Sequence, residues 1–547
     1  MVTSGNFQKF IRSVTGKDIT DLYNMWVHSG GVAHINASYN FDRKKNSAEI
    51  ELRQDAGYGV QYVGPMIIRI QELDGPFQHT VQVEKGTTKV VLNCHSRARR
   101  NKKKKVPLLT SEEVDIDHAM NDPDSPILWI RLDPDCHLIR AATLKQPDYC
   151  LQYTVRFERD VIGQMEALTQ LVEHPVEQTI KALKETIESL DYYWRVRCLA
   201  CEVMYKVTNR MTTPDSGKDA LLKIYTDFFC LSDTVSKEKI PRRNDFANFQ
   251  QYFVQCEIPA SMAKIRMNSG MAPQEISRFI QNLIKYNDNT KNAYLDCHWR
   301  ASLVESLANT LSRGVQAQKL SVAVDEAKCV ISEVIRVMNL EWLLPTYKHV
   351  TFIAALHAVR KLQREQHIPA QSTIFKRFAR EGNYSLVRIA AIQCLVDFIK
   401  VEKGAACADF EWLLEIVRTD NESLIRYKTL RLLAKNQPFK KMDSNLNTVA
   451  VRKTLWSIIS EHSACDSNVR SAAIQLWRII YTNHVFNQWN EMIKDGKEKH
   501  KKSKKEKKKK KEKKKSRDKE KTLLSSPENN PILFWNSLFS LFSNILP

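Results

Sequence analysis

The feature that most constrains this chain is a short pattern that returns at wide intervals. In Asp191-Tyr-Tyr-Trp-Arg-Val-Arg-Cys-Leu-Ala200, followed by Met204, the residues Val196, Ala200 and Met204 fall four apart on one helical face, with Arg197 directly behind the valine. Asp191 stands where it could cap the helix start. The ladder returns as Val387, Arg388, Ala391, Leu395, then Ile425, Arg426, Thr429, Leu433, then Val469, Arg470, Ala473, Trp477, in steps of 38 and 44 residues. Weaker copies stand at Trp299, Leu303, Leu307 and at Val350, Ala354, Ala358. Steps of about 40 to 47 residues belong to HEAT and armadillo repeats, helix pairs that bury their apolar faces only by stacking. The spacing predicts a helical solenoid, an architecture that offers surfaces but names no ligand.

Helical periodicity runs from Val161 to about Ile493, enough for roughly eight repeats, with breakers such as Pro175, Pro273, Pro345 and Pro369. Upstream the rhythm differs. Residues 1–26 carry a short helical pattern (Phe7, Phe10, Ile11, Val14, then Ile19, Leu22, Tyr23, Trp26), too brief for a domain. Residues 27–160 then hold seven short runs of strand character: Val32–Tyr39, Ala48–Arg53, Met66–Leu73, His79–Val83, Lys89–Cys94, Ile127–Leu132 and Leu151–Phe157. Turn signals between them, such as Asp74-Gly75-Pro76, predict a β-sandwich. The expected order is therefore sandwich (27–160), HEAT/armadillo-like helical repeats (161–493), a Lys-rich disordered tail (494–522) and a short apolar end (523–547).

Two basic segments carry the polar chemistry. The first opens a long insertion, residues 96–126, as Arg97, Arg99, Arg100, Lys102, Lys103, Lys104 and Lys105, and acids follow at Glu112, Glu113, Asp115, Asp117, Asp122 and Asp124. Such blocks predict a solvated loop whose halves neutralise each other, or a patch for an import receptor or nucleic-acid phosphates. The second lies between 497 and 521, where sixteen Lys and one Arg oppose five acids, a surplus of twelve within a chain total of +21. Its densest part is Lys507, Lys508, Lys509, Lys510, Lys511, Lys513, Lys514 and Lys515. Self-repulsion leaves it without a core, as a solvated tail or a source of phosphate and import contacts. In the closing segment Phe534, Trp535, Leu538, Leu541, Phe542 and Ile545 share a helical face. That fits either a membrane-surface anchor or a splicing-derived tail. The recurring Arg197, Arg388, Arg426 and Arg470 suggest a phosphate row or, preferably, an internal ladder hydrogen bonded to the neighbouring repeat.

The twelve cysteines are scattered singly apart from Cys198 and Cys201. That usage fits a reducing compartment, where Cys packs as a small hydrophobe. No second pair stands at zinc spacing beside Cys198 and Cys201, so core packing is expected there. The N-terminus has no charged region followed by an apolar run, as a signal peptide would.

A resemblance adds to this reading. Leu22-Tyr-Asn-Met-Trp-Val-His-Ser-Gly-Gly-Val-Ala-His-Ile35, with Gln54 after the second strand, is similar to the passage from the catalytic domain of M1-family aminopeptidases into their β-sandwich. The closer resemblance, from residue 1 to about 493, is to the family of TATA-binding-protein-associated factors that forms subunit 2 of the general transcription factor TFIID on an aminopeptidase-like frame. It is carried by Ala48-Glu-Ile-Glu-Leu-Arg-Gln-Asp55, Gly64-Pro-Met66, Leu128-Trp-Ile-Arg-Leu-Asp-Pro134 and Asp191-Tyr-Tyr-Trp-Arg-Val-Arg197. The resemblance implies a nuclear, non-catalytic scaffold in RNA polymerase II initiation. Its implied partners are the largest TBP-associated factor, TBP-associated factor eight, core-promoter DNA and an import receptor. The chain departs from the peptidase pattern in lacking His-Glu-x-x-His among its fourteen His, so no catalytic residue, metal or cofactor is expected. Base-specific DNA readout is not expected either, since no recognised reading module is present. Two rivals remain: a HEAT-type trafficking or membrane adaptor using the polybasic tail, and a remnant of a zinc aminopeptidase.

Overall fold

The computed structural model describes residues 3–481 apart from 56–59, 98–104, 116–124, 213–214, 232–239, 313–320, 403–405, 438–447 and 463–465. The chain forms two compact units, residues 1–413 and 414 onward.

The first unit opens with α1 (Ser4–Thr15), capped by the Thr3 hydroxyl and closed by Gly16 at φ 71°. A left-handed φ is open to glycine at no steric cost. α1 buries none of its residues. A short helix α2 (Thr20–Leu22) and a π-helical turn (Tyr23–Val27) follow. They deliver Met25 and Trp26 onto the sandwich core, where the Met25 sulfur accepts from Val63 N.

Among the described residues the sandwich has nine strands: β1 (Ala33–Asp42), β2 (Ser47–Gln54), β3 (Gly64–Glu72), β4 (Gly75–Val83), β5 (Thr87–Asn93), β6 (Lys105–Pro107), β7 (Glu113–Asp115), β8 (Ile127–Leu132) and β9 (Arg140–Lys145). One sheet runs β5-β2-β1-β9 and the other β4-β3-β8, with β6 and β7 as a separate hairpin. Period-2 alternation turns Ala33, Ile35, Ala37, Ala48, Ile50 and Leu52 of the first sheet toward Met66, Ile68 and Ile70 of the second. A register shift opposite Gln71 and Glu72 interrupts the alternation in β8. Ile127 and Ile130 therefore join the inner core, while Leu128 and Trp129 both join an outer cluster. That outer cluster is closed by Val106 and Leu108 from the β6–β7 hairpin and by Cys150 and Tyr153 from the next helix. Burial on both sides explains why β8 is solvent-free along its whole length.

Two expectations fail here. Leu151–Phe157 is not the last strand but part of helix α3 (Asp148–Phe157), so the helical series begins at Asp148 rather than Val161. Leu-Gln-Tyr-Thr-Val-Arg-Phe alternates apolar and polar as a half-buried strand would, yet α3 buries every residue from Cys150 to Val155, polar Gln152 and Thr154 included. The missing strand is β9, which pairs parallel to β1 and whose Arg-Ala-Ala-Thr-Leu-Lys shows little alternation.

After α3 come α4 (Val161–Leu171), α5 (Glu177–Glu188), α6 (Trp194–Thr208), α7 (Asp215–Phe229), α8 (Phe249–Met262), α9 (Gln274–Lys285), α10 (Cys297–Thr310), α11 (Ser321–Leu343), α12 (Val350–Arg364), α13 (Thr373–Ala379) and α14 (Ser385–Val401). α4, α6, α8, α10, α12 and α14 pack in sequence, each on the next, as one layer. The intervening helices pack against that layer, α5 and α7 on α6, α9 on α10, α11 on α12 and α13 on α14. α15 (Ala406–Thr419) carries the chain from the first unit into the second. The second unit continues with α16 (Ser423–Lys435), α17 (Val449–Ser457) and a helix α18 at 467–481, around Ile425, Leu430, Leu433, Leu455, Val469, Ala473 and Leu476.

Candidate functional site: the basic insertion and the repeat ladder

The insertion at 96–126 is not wholly a solvated loop, because both of its ends are built into the sandwich. At its root Asn46 Nδ2 donates to the carbonyls of Cys94 and Ser96, each at 3.0 Å. Ser96 N donates to Glu72 Oε2 at 2.6 Å, and Ser96 Oγ accepts from Asp74 N. Glu72 is fully buried, and burial pushes its carboxyl above the ordinary value, a push the Ser96 hydrogen bonds oppose. Beside it Phe77 stacks on His95 at 4.2 Å and His79 lies 5.8 Å from the same ring. Burial first, and then His95, lower the affinity of His79 for a proton.

At the far end Lys105 stands opposite Asp115 across the hairpin, an opposite-charge cross-strand pair. The Gln71 amide donates to Pro107 O at 3.0 Å, and Arg159 holds Glu112 through two nitrogens at 2.9 and 2.7 Å. Arg97 and Lys105, the described ends of the basic run, are exposed. Arg99, Arg100, Lys102, Lys103 and Lys104 lie outside the described residues, as do Lys507 to Lys511, Lys513 to Lys515 and the closing apolar segment.

Where the sandwich meets α3 and α4, three arginines do work that the sequence did not signal. Arg69 and Arg131 face each other directly across β3 and β8, both buried. Like charges so placed repel unless carboxylates compensate. Asp135 pairs with Arg69 at 3.1 Å, and Glu158 and Asp160 take Arg131. Asp160 also caps α4, accepting from Ile162 N and Gly163 N, so one carboxylate ties the sheet to the helix start. Arg140 completes the junction, bonding Asp133, Glu166 and the carbonyl of Leu132. A cleft of about 430 Å³ opens beside the Arg69 and Arg131 ion pairs, walled by Trp129, Leu109, Phe157 and Ile162.

Along the ladder, Val196, Ala200, Val387, Ala391, Ile425, Val469 and Ala473 are all buried. The arginines divide. Arg197 Nε donates to Ile187 O at 2.9 Å and Arg388 Nε to Ala379 O at 3.1 Å, each at the end of the preceding helix. Carbonyls in the last turn of a helix lack intrahelical donors and sit at the negative pole of its dipole, which is where a buried cation is held best. These two thus bond back within their own helix pair, not to the neighbouring repeat as expected. Arg426 reaches Asp466, at the start of α18, at 3.9 Å, and Arg470 is exposed. Asp191 is not the cap of α6; that position is Tyr193, without a side-chain hydrogen bond, while Asp191 pairs with Ser189. The equivalent positions, three before the apolar ladder residue, are Tyr384, Glu422 and Asp466, and the Asp466 carboxylate accepts from Asn468 N and Val469 N. The missed register is thus visible only when the four copies are aligned.

Burial raises the Cys198 thiol to about 12 and the Cys201 thiol well above its ordinary value. Thiolate chemistry needs the opposite shift.

Two family models match the chain. Residues 30–147 match the TAF2 Ig-like domain and residues 148–510 the model described as TAF2-like, TPR repeats. TPR, HEAT and armadillo units are all stacked helical repeats, so this description keeps the architecture and changes the repeat name. The chain is 38% identical over 488 residues to transcription initiation factor TFIID subunit 2 of Danio rerio, covering 88% of this chain and 41% of that protein. It is 40% identical over 492 residues to the Drosophila melanogaster protein of the same name, covering 88% and 40%, and 24% identical over 548 residues to that of Saccharomyces cerevisiae, covering 84% and 38%. It thus spans about two fifths of these relatives' length. Among solved structures, an aminopeptidase A of Legionella pneumophila in complex with aspartic acid aligns with a TM-score of 0.46 and 11% identity, covering 87% of this chain and 52% of that one.

Proposed function

This chain belongs to the TAF2 family, and on that premise we propose that it serves as a non-catalytic scaffold subunit of TFIID in RNA polymerase II initiation. In this role it acts in the nucleus, docks other TBP-associated factors, the largest and factor eight among them, and holds core-promoter DNA through phosphate contacts. The observation that carries the reading is that the two family models together match residues 30 to 510. The DNA contribution rests on a narrower one: the basic run from Arg97 to Lys105 is presented between two ends that the sandwich fixes, at Ser96 and at the β6–β7 hairpin. A cationic segment binds phosphates without regard to base sequence, and each phosphate it neutralises releases counterions. The same run and the Lys507–Lys515 tail supply the basic clusters that an import receptor reads.

The test is DNA binding measured across a salt series with Lys102, Lys103, Lys104 and Lys105 replaced together by Ser. Loss of contacts should weaken binding to all sequences alike and flatten the plot of log affinity against log salt by about 0.9 per lost phosphate contact. An unchanged slope would remove the insertion from the DNA interface.

A further inference from the structure

Resting on the reading that the chain works inside a multisubunit assembly, we propose that the end of α11 and the turn after it form a preformed docking knob for another subunit, one that offers an apolar groove with an acidic rim. Trp342, Leu343, Leu344 and Tyr347 are 70%, 75%, 69% and 57% exposed. Together they leave roughly 500 Å² of apolar surface in water, at the upper end of what a monomer's largest patch shows. Ile335, two turns back along α11, and Tyr384 and Leu386 at the start of α14 are also exposed. His349 packs its ring on Tyr384 at 5.4 Å, which joins the turn to the start of α14.

The turn is held in this outward shape rather than left to relax. Glu341, buried at the end of α11, accepts from Thr346 N and Thr346 Oγ1, both at 2.8 Å, and lies 3.4 Å from His349 Nδ1. Lys348 and His349 both adopt left-handed backbone, φ 51° and 53°, a conformation L side chains avoid. A buried carboxylate is thus committed to a strained turn that keeps four large apolar side chains out of the core. Such preorganisation lowers the ordering cost of binding, and Trp and Tyr are the side chains that anchor interfaces.

Charge selects the occupant. Lys348 lies over the Tyr347 ring at 5.0 Å and has no carboxylate partner among the described residues. A second copy docking through the same patch about a twofold axis would bring Lys348 toward its own equivalent, whereas an acidic rim would pair with it.

The test places p-benzoylphenylalanine at position 343 of the full chain and irradiates the purified TFIID assembly. The expected crosslink joins another subunit at an apolar groove flanked by Asp or Glu. Joint replacement Trp342→Ser, Leu343→Ser and Leu344→Ser should weaken association with that subunit at least tenfold, and Lys348→Glu should weaken it further. Because all four side chains are exposed, the unfolding midpoint should not move, which separates lost docking from lost folding. A crosslink to a second copy, to another part of the same polypeptide or to nothing, with the chain still in the assembly, overturns the knob and leaves the scaffold reading standing. A parental chain that does not co-purify with the assembly sinks the scaffold reading instead.

Discussion

The sandwich–helix junction and the repeat ladder both bury arginine, and they hold it in different ways. At the junction Arg69, Arg131 and Arg140 meet carboxylates that other segments contribute, Asp135, Asp160 and Glu166, distant from them in sequence. In the ladder Arg197 and Arg388 meet a helix-end carbonyl nine or ten residues upstream. An ion pair is directional and costly when broken, so it fixes how two unlike elements sit together. A bond to a helix end is local and recurs wherever a helix pair recurs. The junction is thus a specific joint, and the ladder a repeated fastening.

Four substitutions test that contrast. The largest loss should come from Arg140→Met, which takes the only paired cation from Asp133, a carboxylate 2% exposed that would keep just the N–H groups of His137 and Leu138 among the described residues. Breaking a buried pair of this kind costs about 3–5 kcal/mol, read as a shift in the denaturant midpoint. Gly163→Ala should follow: a Cβ there would meet the Arg131 guanidinium at 2.7 Å, and that group cannot swing away while Glu158 and Asp160 hold it. Overpacking predicts a loss of roughly 1–3 kcal/mol. In the ladder, Arg197→Met leaves the Ile187 carbonyl without its donor but also removes a desolvated cation, so the net loss should be no more than about 2 kcal/mol. A ladder variant costlier than Arg140→Met would erase the distinction between joint and fastening.

The smallest effect lies at the root of the insertion, and it should depend on pH. Glu72 has a folded-state pKa above the unfolded value of 4.5. Its contribution to stability is therefore full below 4.5 and is lost as pH rises through the folded value. Glu72→Gln keeps the neutral form, so it should match the parent in acid and exceed it at neutral pH in thermal unfolding. Equal midpoints at every pH would remove the carboxyl from the anchor.

Five of the strands expected in the first domain overlap the observed ones, and Ile127–Leu132 coincides with β8. Alternation over six or more residues is a strong signal because only one register buries the apolar set. The same signal misleads at Leu151–Phe157, where Leu-Gln-Tyr-Thr-Val-Arg-Phe alternates although a helix buries Gln152 and Thr154 along with their apolar neighbours, and it is missing from β9, whose alanines carry little of it. Of the candidate site, the basic run was legible as composition, yet nothing in it revealed that Val106 and Leu108 plug the outer face of the sheet. The junction arginines were invisible for a similar reason: their carboxylates sit 7 to 66 positions away in sequence.

What the sequence determined by itself is the repetition. Val, Arg and Ala recur because each helix pair must present the same face to its neighbours, and local periodicity suffices to read that. What only the tertiary structure decided is where each charge is spent. Arg197 and Arg470 occupy the same place in the pattern, yet one is buried on a helix end and the other is exposed. The environment of a side chain is set by whatever packs across from it, and that partner is not written in the residue's own neighbourhood.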